Sequence, residues 1–129
     1  MVSSVEQRIT ERIIVTQNLE IISGSKVTPA VMENISDKGL YLIAPSCGKE
    51  LSLKPGTIHE LRFIPLKGEP FSVPCSVKWS YKTPPHGLTS SVGMEVLHKT
   101  PEYKRYLKSL VIDIINPSPK YREMLKTMI

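Results

Sequence analysis

The sequence has few of the residues that build cross-linked, metal-binding or membrane-spanning proteins. Its two cysteines, Cys47 and Cys75, are too few for a disulfide framework, and the histidines at positions 59, 86 and 98 show no metal-ligand spacing. No apolar run approaches the length of a membrane span, and the N-terminus lacks the apolar stretch of a signal peptide. We therefore expect reduced thiols, no metal, no membrane span and a cytoplasmic location.

Signatures of catalysis are missing as well. The sequence contains no nucleophile elbow, no Walker-type glycine loop and no His/Cys arrangement, and nothing places Glu33 and Asp37 around a substrate. The formal net charge of +5, from 17 basic and 12 acidic residues, suits an anionic partner, but the sequence contains no long run of charges of one sign. These features predict a binding protein that is not an enzyme and that uses no cofactor.

The most frequent pattern in the chain is the short β-strand. Segments rich in β-branched residues or with alternating polarity are separated by turns, and no helical pattern lies between them. Such a series predicts a β-dominated antiparallel barrel or sandwich. The six predicted strands cover residues 12–22, 27–35, 40–43, 58–64, 71–79 and 92–97.

Two of these strands carry further information. Pro29 has no N–H to donate, so it predicts an interruption of the second strand, at an edge or a bulge. The fifth strand alternates strictly, which predicts one apolar face that continues to its last residue. The residues of that face are Phe71, Val73, Cys75, Val77 and Trp79.

The last part of the chain changes to a helical pattern. Thr100 suits an N-cap and Pro101 the first helical position, and the helix should end before Pro117. A second short helix is predicted after Ser118. The apolar face of the first helix, which we expect to pack on the β core, comprises Tyr103, Tyr106, Leu107, Leu110, Val111 and Ile114. One domain therefore contains a flexible arm (1–11), a barrel (12–98) and a helical segment (99–129).

Two short motifs carry the candidate binding chemistry. Arg8 and Arg12 precede the first strand, and their planar, permanently charged guanidinium groups suit a phosphate or the O6/N7 edge of guanine. The segment Asn34-Ile35-Ser36-Asp37-Lys38-Gly39 lies between the second and third strands. It predicts a tight polar turn in which Gly39 adopts a positive φ. If the turn binds a ligand, Asn34 and Ser36 face outward.

With both motifs in this order, the chain resembles the PilZ family of cyclic di-GMP receptors over residues 6–97. The likeness extends to Gly39-Leu40-Tyr41-Leu42, Val77-Lys78-Trp79 and Val92-Gly93-Met94-Glu95-Val96. It implies a six-stranded antiparallel PilZ-like β-barrel with a C-terminal helix. It also implies that Arg8 and Arg12 hold guanine and phosphate, and that Asn34 and Ser36 contact a guanine edge.

The resemblance implies roles for three further residues. Gly39 would shape the turn, and Gly93 would permit close approach of the ligand. Gln7 stands where the family often has another arginine, which favours a single bound molecule over an intercalated pair. The polar arm would become ordered on the ligand and relay its presence to a downstream protein partner.

Other functions are compatible with the same residues. A PilZ-like module without ligand would act by protein interaction alone. A nucleic-acid binder would use the positive charge and stack bases on Tyr41, Trp79 and Tyr81, but the apolar face predicted for Trp79 argues against this partner. A homodimer could form through residues 103–114 or 118–129.

Overall fold

Six strands and one helix make up the parts of the chain that the structure, a computed structural model, describes: residues 12–45, 53–66 and 68–115. Every strand pairing is antiparallel, in the order β1-β2-β3-β6-β5-β4, and β4 pairs back with β1 to close a barrel. The predicted six-stranded barrel with a C-terminal helix is confirmed. The elements are β1 (Ile13–Ser23), β2 (Lys26–Ile35), β3 (Gly39–Pro45), β4 (Ile58–Phe63), β5 (Phe71–Lys82), β6 (Thr89–Val96) and α1 (Pro101–Ile115).

The alternation of side chains along the strands fills the barrel. In β4, His59, Leu61 and Phe63 are buried while the residues between them are exposed. Each fully buried aliphatic or aromatic side chain contributes roughly 1.5–3 kcal/mol relative to an exposed one. The largest fully buried side chains of the strands include Leu19, Ile21, Met32, Ile35, Leu40, Leu42, Leu61, Phe63, Val73 and Val77.

The predicted apolar face of β5 ends earlier than its alternation suggests. Val77 pairs with Met94, but Trp79 pairs with the adjacent Gly93, so Lys78 is an extra residue in a bulge. Side chains alternate between the two faces of a strand, so one extra residue moves every later side chain to the opposite face from the one that the alternation predicts. Trp79 is therefore on the outer surface, 40% exposed, and the prediction that it shares the inner face with Val77 is wrong.

Pro29 does not interrupt β2, which runs without a break from Lys26 to Ile35. Pro29 lies opposite Glu20 of β1, whereas the pairing of β2 with β3 extends only as far as Val31 and Ile43. The proline thus occupies a part of β2 that has a single paired neighbour. The predicted interruption is wrong, and the local edge explains why the strand tolerates a residue without an N–H group.

Helix α1 packs on the barrel end where β4 ends and β5 begins. The backbone N–H of Tyr103 donates to Thr100 Oγ1 at 3.2 Å, which confirms Thr100 as the N-cap. Tyr103 and Tyr106 pack edge-on against Phe63, with ring centroids 5.9 and 5.4 Å away. The predicted core packing of this helix face is confirmed through Val111, because Leu110 and Val111 are partly buried and pack against the same core. The second helix predicted after Ser118 lies outside the described residues.

Candidate functional site

The two motifs meet at the end of the barrel where β2 ends. Arg12 immediately precedes β1, and Asn34 is the Cα partner of Ile14 across the β1–β2 pair. The Nη1 atom of Arg12 donates a hydrogen bond of 2.9 Å to Oδ1 of Asn34. Two predicted site residues that are 22 positions apart in sequence are therefore in direct contact. Arg8 and Gln7, the other predicted residues of the arm, lie outside the described residues.

Ser36 lies inside the turn that follows. Its Oγ accepts hydrogen bonds from the N–H groups of Lys38 and Gly39, and its hydroxyl donates to the Gly39 carbonyl, each at 3.3 Å. The side chain is nearly buried, at 5% exposure, so the expectation that it faces outward is wrong. The hydroxyl closes the turn by local side-chain bonds, as serine commonly does. A direct contact between Ser36 and a ligand stays a prediction.

Glycine is required at position 39 for a reason other than the predicted positive φ. Its φ is not positive, unlike that of Gly24 or Gly87. It pairs with Glu95 at the start of β3, and a Cβ at this position would overlap the backbone carbonyl oxygen of Met94. The close approach of β6, and not a left-handed conformation, therefore requires glycine at this position.

A lateral row of outward-facing residues runs from Asn34 across three further strands. Asn34 pairs with Tyr41 of β3, Tyr41 with Gly93 of β6, and Gly93 with Trp79 of β5. The Trp79 indole covers Gly93 so closely that a Cβ there would overlap the ring. The absence of a side chain at Gly93 therefore admits the Trp79 ring, and close approach of a ligand to Gly93 stays a prediction.

The row ends in an exposed aromatic surface. The rings of Tyr41 and Trp79 have centroids 5.5 Å apart at an angle of 46°, and those of Trp79 and Tyr81 are stacked at 5.6 Å and 19°. Trp79 is 40% and Tyr81 54% exposed. Flat aromatic side chains of this kind can stack on a planar base. The alternation of β5 predicts an inward Trp79, and the structure places it outward. A glycine on the neighbouring strand, here Gly93, leaves room for a large ring above it, and this was the feature of the sequence that indicated such a ring.

Three contacts hold the turn from the side of α1 and β6. Tyr103 Oη donates to the Ser36 carbonyl at 2.7 Å, Lys99 Nζ lies 2.6 Å from Asp37 Oδ2, and the N–H of Val96 donates to the Lys38 carbonyl at 2.8 Å. Burial raises the pKa of the Tyr103 hydroxyl far above its ordinary value. The hydroxyl therefore remains protonated and continues to act as a donor.

Three other features of the described residues bear on metal binding, membrane insertion and thiol chemistry. Across residues 12–45, 53–66 and 68–115, no three His, Cys, Asp or Glu side chains are arranged to hold a metal ion, and no helix is long and apolar enough to cross a membrane. Burial raises the pKa of the Cys75 thiol to about 12, which suppresses the reactive thiolate. What the site offers is hydrogen-bonding groups beside an aromatic surface.

Three solved structures share the fold of this chain. The PilZ domain of YcgR from Escherichia coli, solved with c-di-GMP, has a TM-score of 0.64 and 12% identity, and the alignment covers 90% of this chain and 95% of that one. The inhibitor of motility MotI/DgrA from Bacillus subtilis has a TM-score of 0.64 and 14% identity, covering 82% of this chain and 50% of that one. PlzA from Borreliella burgdorferi, in complex with c-di-GMP, has a TM-score of 0.55 and 13% identity, covering 92% and 51%.

The chain thus spans about half the length of MotI/DgrA and of PlzA and nearly all of the YcgR domain. No curated protein matches the sequence. The family model of the PilZ domain matches residues 6–113, which include both motifs, all six strands and most of α1. This chain therefore belongs to the PilZ domain family.

Proposed function

We propose that this protein is a receptor for cyclic di-GMP (c-di-GMP), which it binds on the outer surface between Arg12 and Trp79. The observation that carries the proposal is the Arg12–Asn34 hydrogen bond, because it unites the two motifs at one exposed place. The YcgR domain and PlzA, which share the fold, were both solved with c-di-GMP. Receptor binding of this kind requires no catalytic group.

The chemistry of the ligand suits the residues of the row. Cyclic di-GMP carries two phosphate charges and two guanines. One of the five N–H donors of the Arg12 guanidinium bonds to Asn34, and the others can grip a phosphate or the O6/N7 edge of guanine. The Asn34 oxygen has a second lone pair for a guanine N–H, and its amide N–H groups can donate.

The aromatic surface supplies the remaining contact. A guanine that bonds to Arg12 or Asn34 at one end of the row can extend over Tyr41 toward the face of Trp79. Stacking of a base on an aromatic side chain contributes roughly 1–3 kcal/mol. In this proposal Trp79 joins Arg8, Arg12 and Asn34 as a ligand-contacting residue, while Ser36 and Gly39 shape the turn. Gln7 in place of an arginine favours one bound molecule.

The proposed output is a change of order in the arm. Residues 1–11 wrap the ligand together with Arg12, and the ordered arm exposes or covers a surface for a downstream protein partner in the cytoplasm. Amide exchange measures this directly. We expect slower exchange in residues 1–12 when c-di-GMP is added, and unchanged protection there would contradict the relay.

Titration calorimetry with c-di-GMP tests the binding itself, with GTP as the nucleotide control. Arg12→Ala should reduce affinity at least 10-fold, because a hydrogen bond to a charged group is worth roughly 1.5–3 kcal/mol. Arg62→Ala is the matched control, since Arg62 is an exposed arginine of β4 that is 3.8 Å from Glu20 and remote from the motifs. A stoichiometry of one would support the role inferred for Gln7.

The exposure of Trp79 also favours a second candidate, the binding of single-stranded nucleic acid. The sequence argument against that partner depended on an inward Trp79, and this residue faces outward with Tyr81 stacked on it. A fluorescence titration with short oligonucleotides separates the two functions. Oligonucleotide binding that survives Arg12→Ala, with no heat from c-di-GMP, would replace the receptor proposal. No binding of either would leave a ligand-free interaction module, and size-exclusion chromatography would then test for a homodimer.

A further inference from the structure

The segment from Lys99 to Tyr103 holds the motif turn from behind. Tyr103, the third residue of α1, is fully buried and donates its hydroxyl to the backbone carbonyl of Ser36 at 2.7 Å. Lys99 lies just before the helix and forms a 2.6 Å ion pair with Asp37, while both side chains remain about one-third exposed. The two contacts attach consecutive residues of the turn to one short segment that is more than 60 positions away in sequence.

We infer that Tyr103 and Lys99 are positioning residues of the ligand site, which hold the Ser36–Asp37 turn in the shape that presents Asn34 to the ligand. Neither residue is part of the outward row, so each acts through the turn. This inference rests on the proposed binding of c-di-GMP. It extends the site from the two motifs to the start of α1, a part of the chain that contains neither motif.

The backbone around Asn34 explains why such support is needed. The β2–β3 register shifts between Met32 and Asn34, so Asn34 lies in an irregular part of the ladder. A bulge leaves the local direction of the strand less fixed by its regular hydrogen bonds. Two residues later, the Ser36 carbonyl is fixed by Tyr103, a buried side chain of another element. Loss of that bond would remove the one anchor that joins Ser36 to α1 among the described residues, and would loosen the orientation of the Asn34 side chain although the bonds within the turn remain.

Tyr106 provides a matched comparison on the same helix. Its hydroxyl donates to Gln17 Oε1 at 3.2 Å, away from the motif turn, and its ring packs against the same Phe63. Phenylalanine at either position keeps the ring and removes one hydroxyl. Tyr103→Phe and Tyr106→Phe therefore differ mainly in which partner loses its donor.

The first experiment measures c-di-GMP affinity by titration calorimetry for the two variants and the wild type, beside their thermal unfolding. We expect Tyr103→Phe to weaken binding about 5- to 10-fold and Tyr106→Phe to change it less than about 2-fold. Lys99→Met should weaken binding about 3-fold, and Lys99→Arg should restore it. In an Asn34→Ala background the effect of Tyr103→Phe should disappear, because the tyrosine acts through Asn34.

A second measurement does not require the ligand. Amide exchange of residues 34–39 in the free protein should be faster in Tyr103→Phe than in Tyr106→Phe, while residues 26–32 of the same strand remain equally protected. Equal affinity of the two tyrosine variants, or an undiminished Tyr103→Phe effect in the Asn34→Ala background, would overturn the inference and leave the receptor proposal intact. Absence of c-di-GMP binding by the wild-type protein would overturn the proposed function. Unchanged amide exchange at residues 34–39 in Tyr103→Phe would overturn the inference that Tyr103 holds the turn.

Discussion

Asn34 and Ser36 belong to one motif and are two residues apart, yet they lie in opposite surroundings. Asn34 is only half-buried and bonds to an exposed arginine on the outer row. Ser36 is nearly buried, its hydroxyl bonds only within the turn, and its carbonyl is held by Tyr103. The comparison shows that a motif defined by sequence divides into an exposed part that is accessible to a ligand and a buried part that builds the turn. The site thus has an exposed side, the outer row, and a buried side, under α1.

The buried core beneath α1 should lose stability at high pH. Burial raises the pKa of Tyr106 from 10 to about 12 and that of Cys75 from 9 to about 12. Because these folded-state values lie above the unfolded ones, the stabilisation is complete below about pH 9 and is lost as the pH rises through 12. Each unit is worth roughly 1.4 kcal/mol, so the loss reaches several kcal/mol. Urea unfolding at about pH 8, 10 and 11.5 measures it, and a flat profile would show that these groups titrate normally.

Gly39→Ala should destabilise the protein more than any other single substitution at the site. The added Cβ would overlap the Met94 carbonyl oxygen, which belongs to the backbone of a paired strand and cannot move alone. We expect a loss of roughly 3 kcal/mol of unfolding free energy, the upper range for overpacking. Gly24→Ala is the control: Gly24 has a φ of 62° but open space around it, so the left-handed backbone costs only about 1–2 kcal/mol there. Equal losses for the two variants would contradict the close-approach explanation.

Trp79→Ala tests the exposed side, where affinity should change more than stability. Loss of a stacking surface should weaken c-di-GMP binding about 5- to 150-fold, which corresponds to roughly 1–3 kcal/mol. Trp79 is the single tryptophan of the chain, so ligand binding to the wild type should also change its fluorescence. Tyr81→Ala is the comparison at the end of the same stack. If Trp79→Ala binds as tightly as the wild type, the ligand does not reach this end of the row.

The paired variants Asn34→Ala and Ser36→Ala divide the motif directly. Asn34→Ala should lower affinity without changing the thermal midpoint, because its side chain bonds to an exposed arginine. Ser36→Ala removes the acceptor of two backbone N–H groups and should cost about 1 kcal/mol of stability as well as affinity. Calorimetry and thermal unfolding of both variants separate the two effects. A pure affinity effect of Ser36→Ala would indicate that its hydroxyl meets the ligand directly.

The sequence predicted the parts of this architecture that depend on local pattern. Alternation located all six strands, and the Thr100-Pro101 pair located the start of α1, because capping chemistry is local. That Arg12 and Asn34 serve one site was implied only by the family resemblance, and their direct hydrogen bond was not predicted. The bond joins the residue before β1 to a residue of β2, and a single sequence does not reveal the register of these two strands.

The missed features share one physical cause, which is that they depend on the neighbouring strand or helix. Lys78 becomes a bulge residue only through its pairing with β6, and that bulge turns Trp79 outward. Gly39 is constrained by the Met94 carbonyl and not by its own φ, and the Ser36 carbonyl meets a tyrosine 67 residues away. Alternation and turn chemistry contain no information about such partners.

Asn34→Asp should produce the smallest effect and refine the account of the exposed side. A carboxylate would strengthen the bond to Arg12 by adding charge, and it would accept guanine N–H donors with both oxygens. It would also bring a negative charge near the ligand phosphates, which opposes the gain. We expect a net tightening of about 2- to 5-fold at low salt that shrinks at high salt, measured by calorimetry at two ionic strengths. Weaker binding by the aspartate variant that persists at high salt, where repulsion of the phosphates is screened, would indicate that the Asn34 N–H groups, and not its oxygen, face the ligand.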